Sequence, residues 1–303
     1  MAESGLVIVD KSGGMTSHDV VARIRRLAGT RRVGHAGTLD PMATGVLVIG
    51  IEKATRLLGH LTLTEKEYDA TIRLGAATVT DDAEGEVVPP SGGHGPDPST
   101  IPEAELRSAL GAFTGQISQV PPRISAIKVD GKRAYRLTRS GAAPELAARQ
   151  VTITRLELLA TRSAGERLLD LDVSVTCSSG TYIRAIARDL GAALATGGHL
   201  TALRRTRVGP YGIARARTLD QLAEAFELIP LADAAAAAFG CMRLTAEEAR
   251  LVSHGGRLPA ADGSADTTAD GDAPLAAFDP DGNLTALLIR QGGEMRPLAV
   301  FVP

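Results

Sequence analysis

The chain has 303 residues, and 44% of them are apolar, which is enough for one large domain, or a large and a small one, around a substantial core. Its two cysteines, Cys177 and Cys241, lie far apart, and its six histidines lack metal-ligand spacing. We therefore expect neither a disulfide framework nor a metal site, and the cysteine usage favours a reducing compartment. Neither a signal peptide nor a membrane span is predicted, since the sequence shows no charged leader and no long apolar run.

The net charge of −2 does not by itself favour nucleic acid, but the charges are unevenly distributed. Residues 233–303 contain five basic and ten acidic side chains, whereas residues 1–232 contain 28 basic and 25 acidic ones. This change of sign predicts a domain boundary near Pro230, with a large domain over 1–230 and a small one over 231–303.

The first predicted elements are a strand over 6–9 and a helix that begins at Ser17, the expected N-cap, and continues to about Leu27. An arginine cluster lies on the other face of this helix and just beyond it. Its members are Arg23, Arg25, Arg26, Arg31 and Arg32. Such a cluster is typical of a solvated helix face or of a surface that contacts phosphates, and the sequence leaves both interpretations open.

A glycine-rich stretch from Gly34 to Gly45 leads into an apolar run over 46–49. Glycine adopts backbone angles that other residues resist, and Pro41 restricts the residue before it to extended conformations. Asp40 is therefore expected on a stiff loop at the edge of a buried strand. A carboxylate in that position is suited to catalysis, although Asp-Pro and Gly are also ordinary turn residues.

A strand is predicted over 68–74, because Tyr68 and every second residue after it are apolar and share one face. An inward tyrosine usually belongs to a core, but the polar residues around this one also suit the lining of a site. The acidic turn over 80–85, which contains Asp82, and an exposed loop over 89–100 follow.

Two stretches are strongly basic. Residues 123–149 hold seven basic and two acidic side chains around Tyr135 and are interpreted as a long hairpin or mobile loop that grips a phosphate backbone. A second cluster is predicted on a coil. It consists of Arg204, Arg205, Arg207, Arg215 and Arg217. Tyrosine beside basic residues offers a ring on which a nucleobase stacks, whereas the alternative interpretation is a basic loop that is only solvated.

Residues 168–177 alternate between apolar and polar side chains and predict another half-buried strand. A turn over 178–181 leads into a helix on which Arg184 and Arg188 lie four residues apart on one face. An arginine in the first turn of a helix is typical of an anion site, and also of a structural pair with an aspartate.

The tail is predicted to contain a helix over 247–253 and an acidic, low-complexity stretch over 259–274 that we expect to be disordered. Three strand-like runs over 275–278, 284–289 and 298–302 then predict a small β-rich domain.

Four short motifs occur in order between about residue 5 and residue 220. They are residues 34–45 (Gly-His-Ala-Gly-Thr-Leu-Asp-Pro-Met-Ala-Thr-Gly), 66–68 (Lys-Glu-Tyr), 179–191 and 203–205 (Leu-Arg-Arg). Together they resemble the tRNA pseudouridine synthase B family, whose members convert uridine 55 in the T-loop of tRNA to pseudouridine. The resemblance implies an α+β fold with a mixed, largely antiparallel sheet flanked by helices and loops, and a small C-terminal β-rich domain of the PUA type.

Position by position, the resemblance implies three catalytic residues. Asp40 matches the catalytic aspartate, Tyr68 the tyrosine that stacks on the target base and is proposed to move its C5 proton, and Arg184 the arginine that pairs with the aspartate region and the substrate phosphate. Six further residues are implied in substrate binding: Asp82 as the acid that pairs with this arginine, His35 near the flipped base, Leu203 as an apolar wall, and Lys11, Tyr182 and Arg204.

The chain departs from the family pattern in two places. Ser12 follows Lys11 where the family commonly has proline. The tail has twice as many acidic as basic residues, which argues against strong phosphate contact by the C-terminal domain.

Pseudouridine formation breaks the C1′–N1 bond, rotates the base and joins C1′ to C5. The reaction needs a carboxylate and a flipped base, but no redox cofactor, nucleotide or metal. We therefore expect no cofactor, a tRNA partner bound through its T-stem-loop, no membrane, no obligate protein partner, a monomer and a cytoplasmic location. Attack by Asp40 on C1′ and attack on C6 of the base both remain open.

Two alternatives belong to other classes. A non-catalytic tRNA-binding or chaperone protein would use the same basic loops, but a pure binder has no need of a carboxylate such as Asp40 that repels phosphate. A phosphate-loop enzyme is excluded by the absence of a Gly-Lys-Ser/Thr sequence in the glycine-rich stretch.

Overall fold

The computed structural model describes residues 3–89, 95–122, 128–129, 132–133, 146–260 and 273–302. The α-helices are α1 (Ser17–Leu27), α2 (Leu58–Thr62), α3 (Glu103–Gly111), α4 (Ile183–Ala193), α5 (Leu219–Glu224), α6 (Leu231–Ala238) and α7 (Ala246–Ser253). The strands in the first half are β1 (Gly5–Lys11), β2 (Val33–Ala36), β3 (Thr44–Ile51), β4 (Lys66–Leu74), β5 (Ala77–Thr78), β6 (Val87–Val88), β7 (Gly115–Gln119), β8 (Lys128–Val129) and β9 (Lys132–Arg133). Those in the second half are β10 (Arg149–Gly165), β11 (Leu168–Cys177), β12 (Gly198–Val208), β13 (Tyr211–Gly212), β14 (Ile229–Pro230), β15 (Gly240–Arg243), β16 (Leu258–Pro259), β17 (Leu275–Phe278), β18 (Leu284–Gln291) and β19 (Glu294–Val300).

The main feature is a ten-stranded sheet with the order β14-β1-β3-β12-β4-β11-β10-β7, in which β2 pairs with β3 and β13 with β12. The pairing of β3 with β12 is parallel and joins Thr44 to Arg204 and Gly45 to Arg205. The other neighbours in this sheet pair antiparallel. The predicted α+β fold with a mixed, largely antiparallel sheet is confirmed. We call the parallel pairing the β3–β12 seam.

Alternating side chains place the sheet between two apolar layers. Val7 and Val9 of β1 join the core formed with α1, α3 and α4, whereas Leu6 and Ile8 join the core formed with α2 and α6 on the other face. In β4, Tyr68 and every second residue after it are buried, as the alternation predicts. The burial of both faces explains why β1 and β3 are apolar over most of their length.

The N-cap of α1 is Thr16 and not Ser17, so that prediction was wrong by one residue. Thr16 accepts a hydrogen bond from the backbone N–H of Asp19, and the Asp19 carboxylate accepts one from the backbone N–H of Thr16. This capping box satisfies two free donors at the helix start. Ser17 is 1% exposed, and its hydroxyl contacts the backbone of Leu39 in the glycine-rich loop.

A second sheet of five strands, β15-β17-β18-β19-β16, contains the tail and includes the predicted strand-like runs, the last of which begins earlier, at Glu294. The helix predicted over 247–253 is also present as α7. The two sheets share one apolar core, to which Leu287 and Phe301 contribute from the tail and Ala234 from α6. The boundary near Pro230 stays a prediction, and the stretch predicted to be disordered lies mostly outside the described residues.

Most of the basic stretch over 123–149 also lies outside the described residues, apart from β8 and β9, which pair with each other, and the end of the stretch from residue 146. The prediction that the second basic cluster lies on a coil was wrong for three of its arginines, because Arg204, Arg205 and Arg207 belong to β12.

No helix in the described part of the chain combines the length and apolar character needed to cross a membrane.

Candidate active site

Asp40 lies in the loop that precedes β3, next to the β3–β12 seam. Its Oδ2 is 3.0 Å from Nε of Arg184, and the Asp40 side chain is 35% exposed while that of Arg184 is 6% exposed. The first turn of α4 therefore supplies a buried positive charge to a carboxylate that solvent and substrate can reach. Such an ion pair fixes the direction of the carboxylate at an accessible position.

Arg184 is held by the acidic turn as well as by Asp40. Its Nη1 lies 3.5 Å from Oδ2 of Asp82 and donates to the carbonyl of Thr80 at 2.8 Å. Asp82 is almost fully buried, and its Oδ1 accepts a hydrogen bond from the backbone N–H of Glu84 at 3.1 Å. The guanidinium thus joins two carboxylates, one buried and one accessible, in a fixed geometry.

The N-terminal segment holds the Asp40 loop from the other side. The Ser17 hydroxyl donates to the carbonyl of Leu39 at 3.1 Å and accepts from its N–H at 3.0 Å. Lys11 Nζ donates to the carbonyl of Pro41 at 3.1 Å and to that of Met15 at 2.7 Å. The residues on both sides of the aspartate are therefore fixed by side chains from β1 and α1.

Lys11 is 0% exposed. Burial lowers the pKa of its amine, while the negative charge of Asp40 opposes this shift. Its substrate-binding role stays a prediction, because the structure places its amine among backbone carbonyls beneath the loop. Ser12 occupies the exposed position that follows it.

Two glycines bring the loop close to β12. Gly45 has φ +96°, and a Cβ there would lie 2.2 Å from the carbonyl oxygen of Arg205. Gly37 has φ +72°, and its Cβ would lie 3.3 Å from Nη1 of the same arginine. Only glycine fits the first position, since backbone cannot move away as a flexible side chain can.

Arg205 is a site residue that the sequence analysis named only as a member of the second basic cluster and of the motif at 203–205. It is 1% exposed, and it donates to the carbonyl of Val46 at 2.7 Å through Nε and to that of Gly37 at 2.9 Å through Nη2. Adjacent arginines on a strand must point to opposite faces, so strand placement of residues 204–205 would have indicated that one of them is buried. Lys66 is buried nearby, and burial followed by the charge of Arg205 lowers its pKa to about 8.

Tyr68 pairs with Arg205 across β4 and β12 and with Val175 across β4 and β11. Its side chain is 7% exposed. Burial raises the pKa of its hydroxyl, the positive charge of Arg205 opposes the shift, and the negative charge of Asp40 adds to it. The protonated Tyr68 side chain therefore lies close enough to Asp40 for an electrostatic interaction between them.

Comparison with known proteins identifies the family. A model described as "TruB family pseudouridylate synthase (N terminal domain)" matches residues 25–183, and models for tRNA pseudouridylate synthase B and tRNA pseudouridine synthase II C-terminal domains match residues 184–236 and 239–302. The tRNA pseudouridine synthase B of Arthrobacter sp. (strain FB24) is 58% identical, covering 99% of this chain and 97% of the relative. The chain belongs to the TruB family.

Other members and solved structures agree with this assignment. The tRNA pseudouridine synthase B of Thermobifida fusca (strain YX) is 56% identical over 98% of both chains. A chain of a Cbf5-Nop10-Gar1 complex is 26% identical with a TM-score of 0.72, and one of an H/ACA RNP bound to a substrate RNA containing 2′-deoxyuridine is 25% identical with a TM-score of 0.70. Each match covers 99% of this chain and 85% of the other. The resemblance inferred from the motifs is confirmed, and this TruB-family chain is a pseudouridine-forming isomerase.

His35 and Leu203 are two further motif residues implied in substrate binding. His35 on β2 contacts His18 edge to face, with ring centroids 5.6 Å apart, and burial followed by the charges of His18 and Arg205 lowers its pKa. Its Nδ1 is buried and has no hydrogen-bond partner among the described residues. Leu203 is 8% exposed and lies on β12 opposite Ala70, in the row that contains Tyr68.

Tyr182, the N-cap residue of α4, is fixed by a residue that sequence reasoning missed. Its N–H donates to Oε1 of Gln119 at 2.8 Å, and Nε2 of Gln119 donates to its carbonyl at 3.1 Å. Arg188, one turn further along α4, donates to the carbonyl of Val120 at 2.8 Å and lies 3.3 Å from the carboxylate of Asp81. The helix that carries Arg184 is thus attached to both the end of β7 and the acidic turn.

Arg204 lies on β12 at the β3–β12 seam, where its Nη1 is 3.4 Å from Oγ1 of Thr44. Its guanidinium makes a two-pronged contact with Asp10, at 2.7 and 3.1 Å. Its substrate-binding role stays a prediction. Because Asp10 balances much of the positive charge of Arg204, this arginine attracts a phosphate less strongly than an unpaired one would.

Among the described residues, no group of three or more His, Cys, Asp or Glu side chains has the arrangement of a metal site.

Proposed function

We propose that this chain converts uridine 55 in the T-loop of tRNA to pseudouridine, with Asp40 as the nucleophile. The observation that carries the proposal is the accessible Asp40 carboxylate held 3.0 Å from a buried arginine. A tRNA substrate fits the names of the relatives, which are tRNA pseudouridine synthases B. We further propose that the chain recognises the T-stem-loop, works as a monomer without an obligate protein partner, and acts in the cytoplasm.

The reaction conserves every atom of the nucleotide. The C1′–N1 bond breaks, uracil rotates, C1′ joins C5, and the proton leaves C5 while N1 gains one. A carboxylate that attacks the substrate and later leaves it supports these steps without an external reagent. An oxocarbenium-like sugar would also be stabilised by a neighbouring carboxylate.

The ion pair gives Arg184 two tasks in this proposal. In the free enzyme it balances the charge of Asp40 and keeps the carboxylate directed from the loop. With substrate bound, the same guanidinium offers donors to a phosphate beside the flipped nucleotide. Asp82 holds the guanidinium from the buried side, so that movement of Asp40 during covalent chemistry does not release it.

Tyr68, Leu203 and His35 are proposed to receive the flipped base. Unstacking a base costs a few kcal/mol, and stacking on an aromatic ring returns about 1–3 kcal/mol. Because burial raises the pKa of Tyr68, its ring is neutral at physiological pH and suits stacking. The buried Nδ1 of His35 has no hydrogen-bond partner among the described residues and is proposed to bind the flipped base.

The experiment is incubation of unmodified tRNA transcript with the wild-type protein and with Asp40→Asn, followed by chemical mapping of pseudouridine. We expect modification at position 55 with the wild type, and a fall of roughly a thousandfold or more with the variant at nearly unchanged tRNA affinity. Asp69→Asn is the matched control, since this exposed aspartate is next to Tyr68 on the opposite face of β4.

Turnover by Asp40→Asn at the wild-type rate would exclude the proposed nucleophile. Modification of another uridine by the wild type would exclude the proposed position. Tight tRNA binding without any modification would instead identify a non-catalytic binding protein.

A further inference from the structure

An arginine cluster surrounds the C-terminal end of α1, and its geometry is set by a tight turn. Gly29 has φ +65°, and the N–H of Thr30 donates to the carbonyl of Arg25 at 3.3 Å. This is a Schellman termination, which reverses the chain after the helix. Arg31 is therefore brought back beside the last helical turn, where Arg25 and Arg26 lie. We call Arg25, Arg26, Gly29, Thr30 and Arg31 the α1 patch.

The α1 patch lines a shallow surface hollow of about 690 Å³. Arg25 donates to the carbonyl of Val33 at 3.2 Å, which fixes one wall of the hollow. Arg26 and Arg31 are exposed, and among the described residues neither has a carboxylate within ion-pair distance. The hollow thus presents at least two cations whose charge is not balanced by an acid in the described part of the chain.

The absence of balancing acids distinguishes Arg26 and Arg31 from several other arginines of this chain. Those others lie on or beside the large sheet, and each faces a carboxylate. The examples are Arg73 with Asp170, Arg107 with Glu103, Arg155 with Glu157, Arg162 with Asp172, Arg204 with Asp10, and Arg207 with Glu65 and Glu67. Because the net charge of the chain is −2, arginines without a neighbouring acid attract a polyanion more strongly than arginines that already face a carboxylate.

The position of the α1 patch relates it to the active site. The N-terminal end of α1 contacts the Asp40 loop through Ser17, and the helix then runs 11 residues to Leu27. At 1.5 Å per residue, the patch lies about 16 Å from the loop, a distance that roughly five stacked nucleotides span. An RNA whose uridine is at Asp40 is therefore long enough to reach it.

We propose that Arg26 and Arg31 bind backbone phosphates of the tRNA whose uridine is held at Asp40, and this rests on the proposed function. The hollow gives the two guanidinium groups a concave surface, and phosphates accept paired hydrogen bonds from guanidinium. Compensation of the helix dipole would account for Arg25 and Arg26 in the last turn. It does not account for Arg31, which follows the helix and is returned to it by Gly29.

The test compares two double variants that each remove two positive charges. Arg26→Ala with Arg31→Ala alters the patch, while Arg107→Ala with Arg155→Ala alters exposed arginines that already face carboxylates. The dissociation constant of full-length tRNA is measured by fluorescence anisotropy at several salt concentrations. We expect the patch variant to bind about tenfold more weakly, and its slope of log K against log salt to shrink by about 1.5, or 0.7–0.9 per lost phosphate contact.

A third variant, Arg26→Lys with Arg31→Lys, keeps the charge and is expected to recover most of the affinity and the salt slope. Binding by the patch variant that matches the control pair in affinity and slope overturns the proposal. Equal losses in both pairs also overturn it, since they would reflect net charge alone. Because binding is measured without turnover, inactivity of the wild type on tRNA would count against the proposed function and not against the patch.

Discussion

The arginines of β12 and those of the α1 patch look alike in the sequence but differ in the structure. Arg204 faces Asp10, Arg205 is buried beneath the Asp40 loop, and Arg207 lies within 2.9 Å of two glutamates. Arg26 and Arg31 instead face solvent, with no carboxylate near them among the described residues. Local charge density therefore does not identify a phosphate-binding surface, and the presence or absence of balancing acids decides which arginines are available.

The comparison also separates two uses of positive charge. Beneath the loop, Arg205, Lys66 and Lys11 donate to backbone carbonyls and act as structural cross-links between segments. At the surface, Arg26 and Arg31 form no side-chain cross-link to another described residue. Substitution should consequently reduce folding stability in the first group and RNA affinity in the second.

Arg205→Met tests the structural group and has the largest expected effect. The substitution leaves the carbonyls of Val46 and Gly37 without their donors, and a buried unsatisfied carbonyl costs about 1–3 kcal/mol. We expect the free energy of unfolding to fall by about 2–5 kcal/mol, measured by urea unfolding. Arg204→Met is the matched control on the neighbouring residue. Equal stabilities for these two variants would contradict the assignment of Arg205 as a structural cross-link.

Because of Lys66, the free energy of unfolding is expected to depend on pH. Burial lowers its pKa to about 8 in the folded protein, from an ordinary 10.5. Between these values the unfolded chain binds more protons than the folded one, so stability rises with pH. Relative to Lys66→Met, we expect the wild type to gain about 1 kcal/mol in the free energy of unfolding between pH 8 and pH 9.

The comparison with Lys66→Met limits the effect of a competing titration, because both proteins contain Cys177. Burial raises the pKa of Cys177 to about 11 from 9, so this thiol lowers stability as pH rises above about 9. Paired urea unfolding curves of wild type and Lys66→Met at pH 8 and pH 9 provide the measurement. A difference that stays constant between the two pH values would show that the amine is not desolvated.

Arg204→Ala should have the smallest effect. Its pair with Asp10 is partly exposed, and such pairs contribute about 0–1 kcal/mol. Because its charge is already balanced, we expect the slope of log K against log salt for tRNA to remain at the wild-type value in the same anisotropy assay. A decrease of about one in that slope would place a phosphate contact on β12 and remove the distinction between the two arginine groups.

The strands and the catalytic motif were predictable because their signals are local. Alternation over 68–74 and 168–177 reports burial directly, and the glycines with Pro41 indicate a stiff loop. The nearness of Asp40 to Arg184 was implied only by the family resemblance. No local pattern relates two residues that are far apart in the chain and meet through sheet topology.

Other features depend on tertiary context that one sequence does not express. Gln119 fixes Tyr182 through its amide, yet a lone glutamine in a strand has no distinctive pattern. The role of Arg205 required knowledge that residue 205 lies on a strand beneath the loop. The N-cap was misplaced by one residue because Thr16 and Ser17 are both good caps, and the contact of Ser17 with Leu39 removes it from that role.

The close approach of Gly45 to the Arg205 carbonyl has a consequence for protein engineering. The position of Asp40 depends on the spacing of two backbones at the β3–β12 seam, where even a methyl group would not fit. If residues 34–45 were transplanted alone to another scaffold, the loop would still contain Asp40, but the carboxylate would no longer be held in its position. The smallest transferable unit is the loop together with both strands of the seam, so new specificities are better built by varying residues around this seam than by moving the loop.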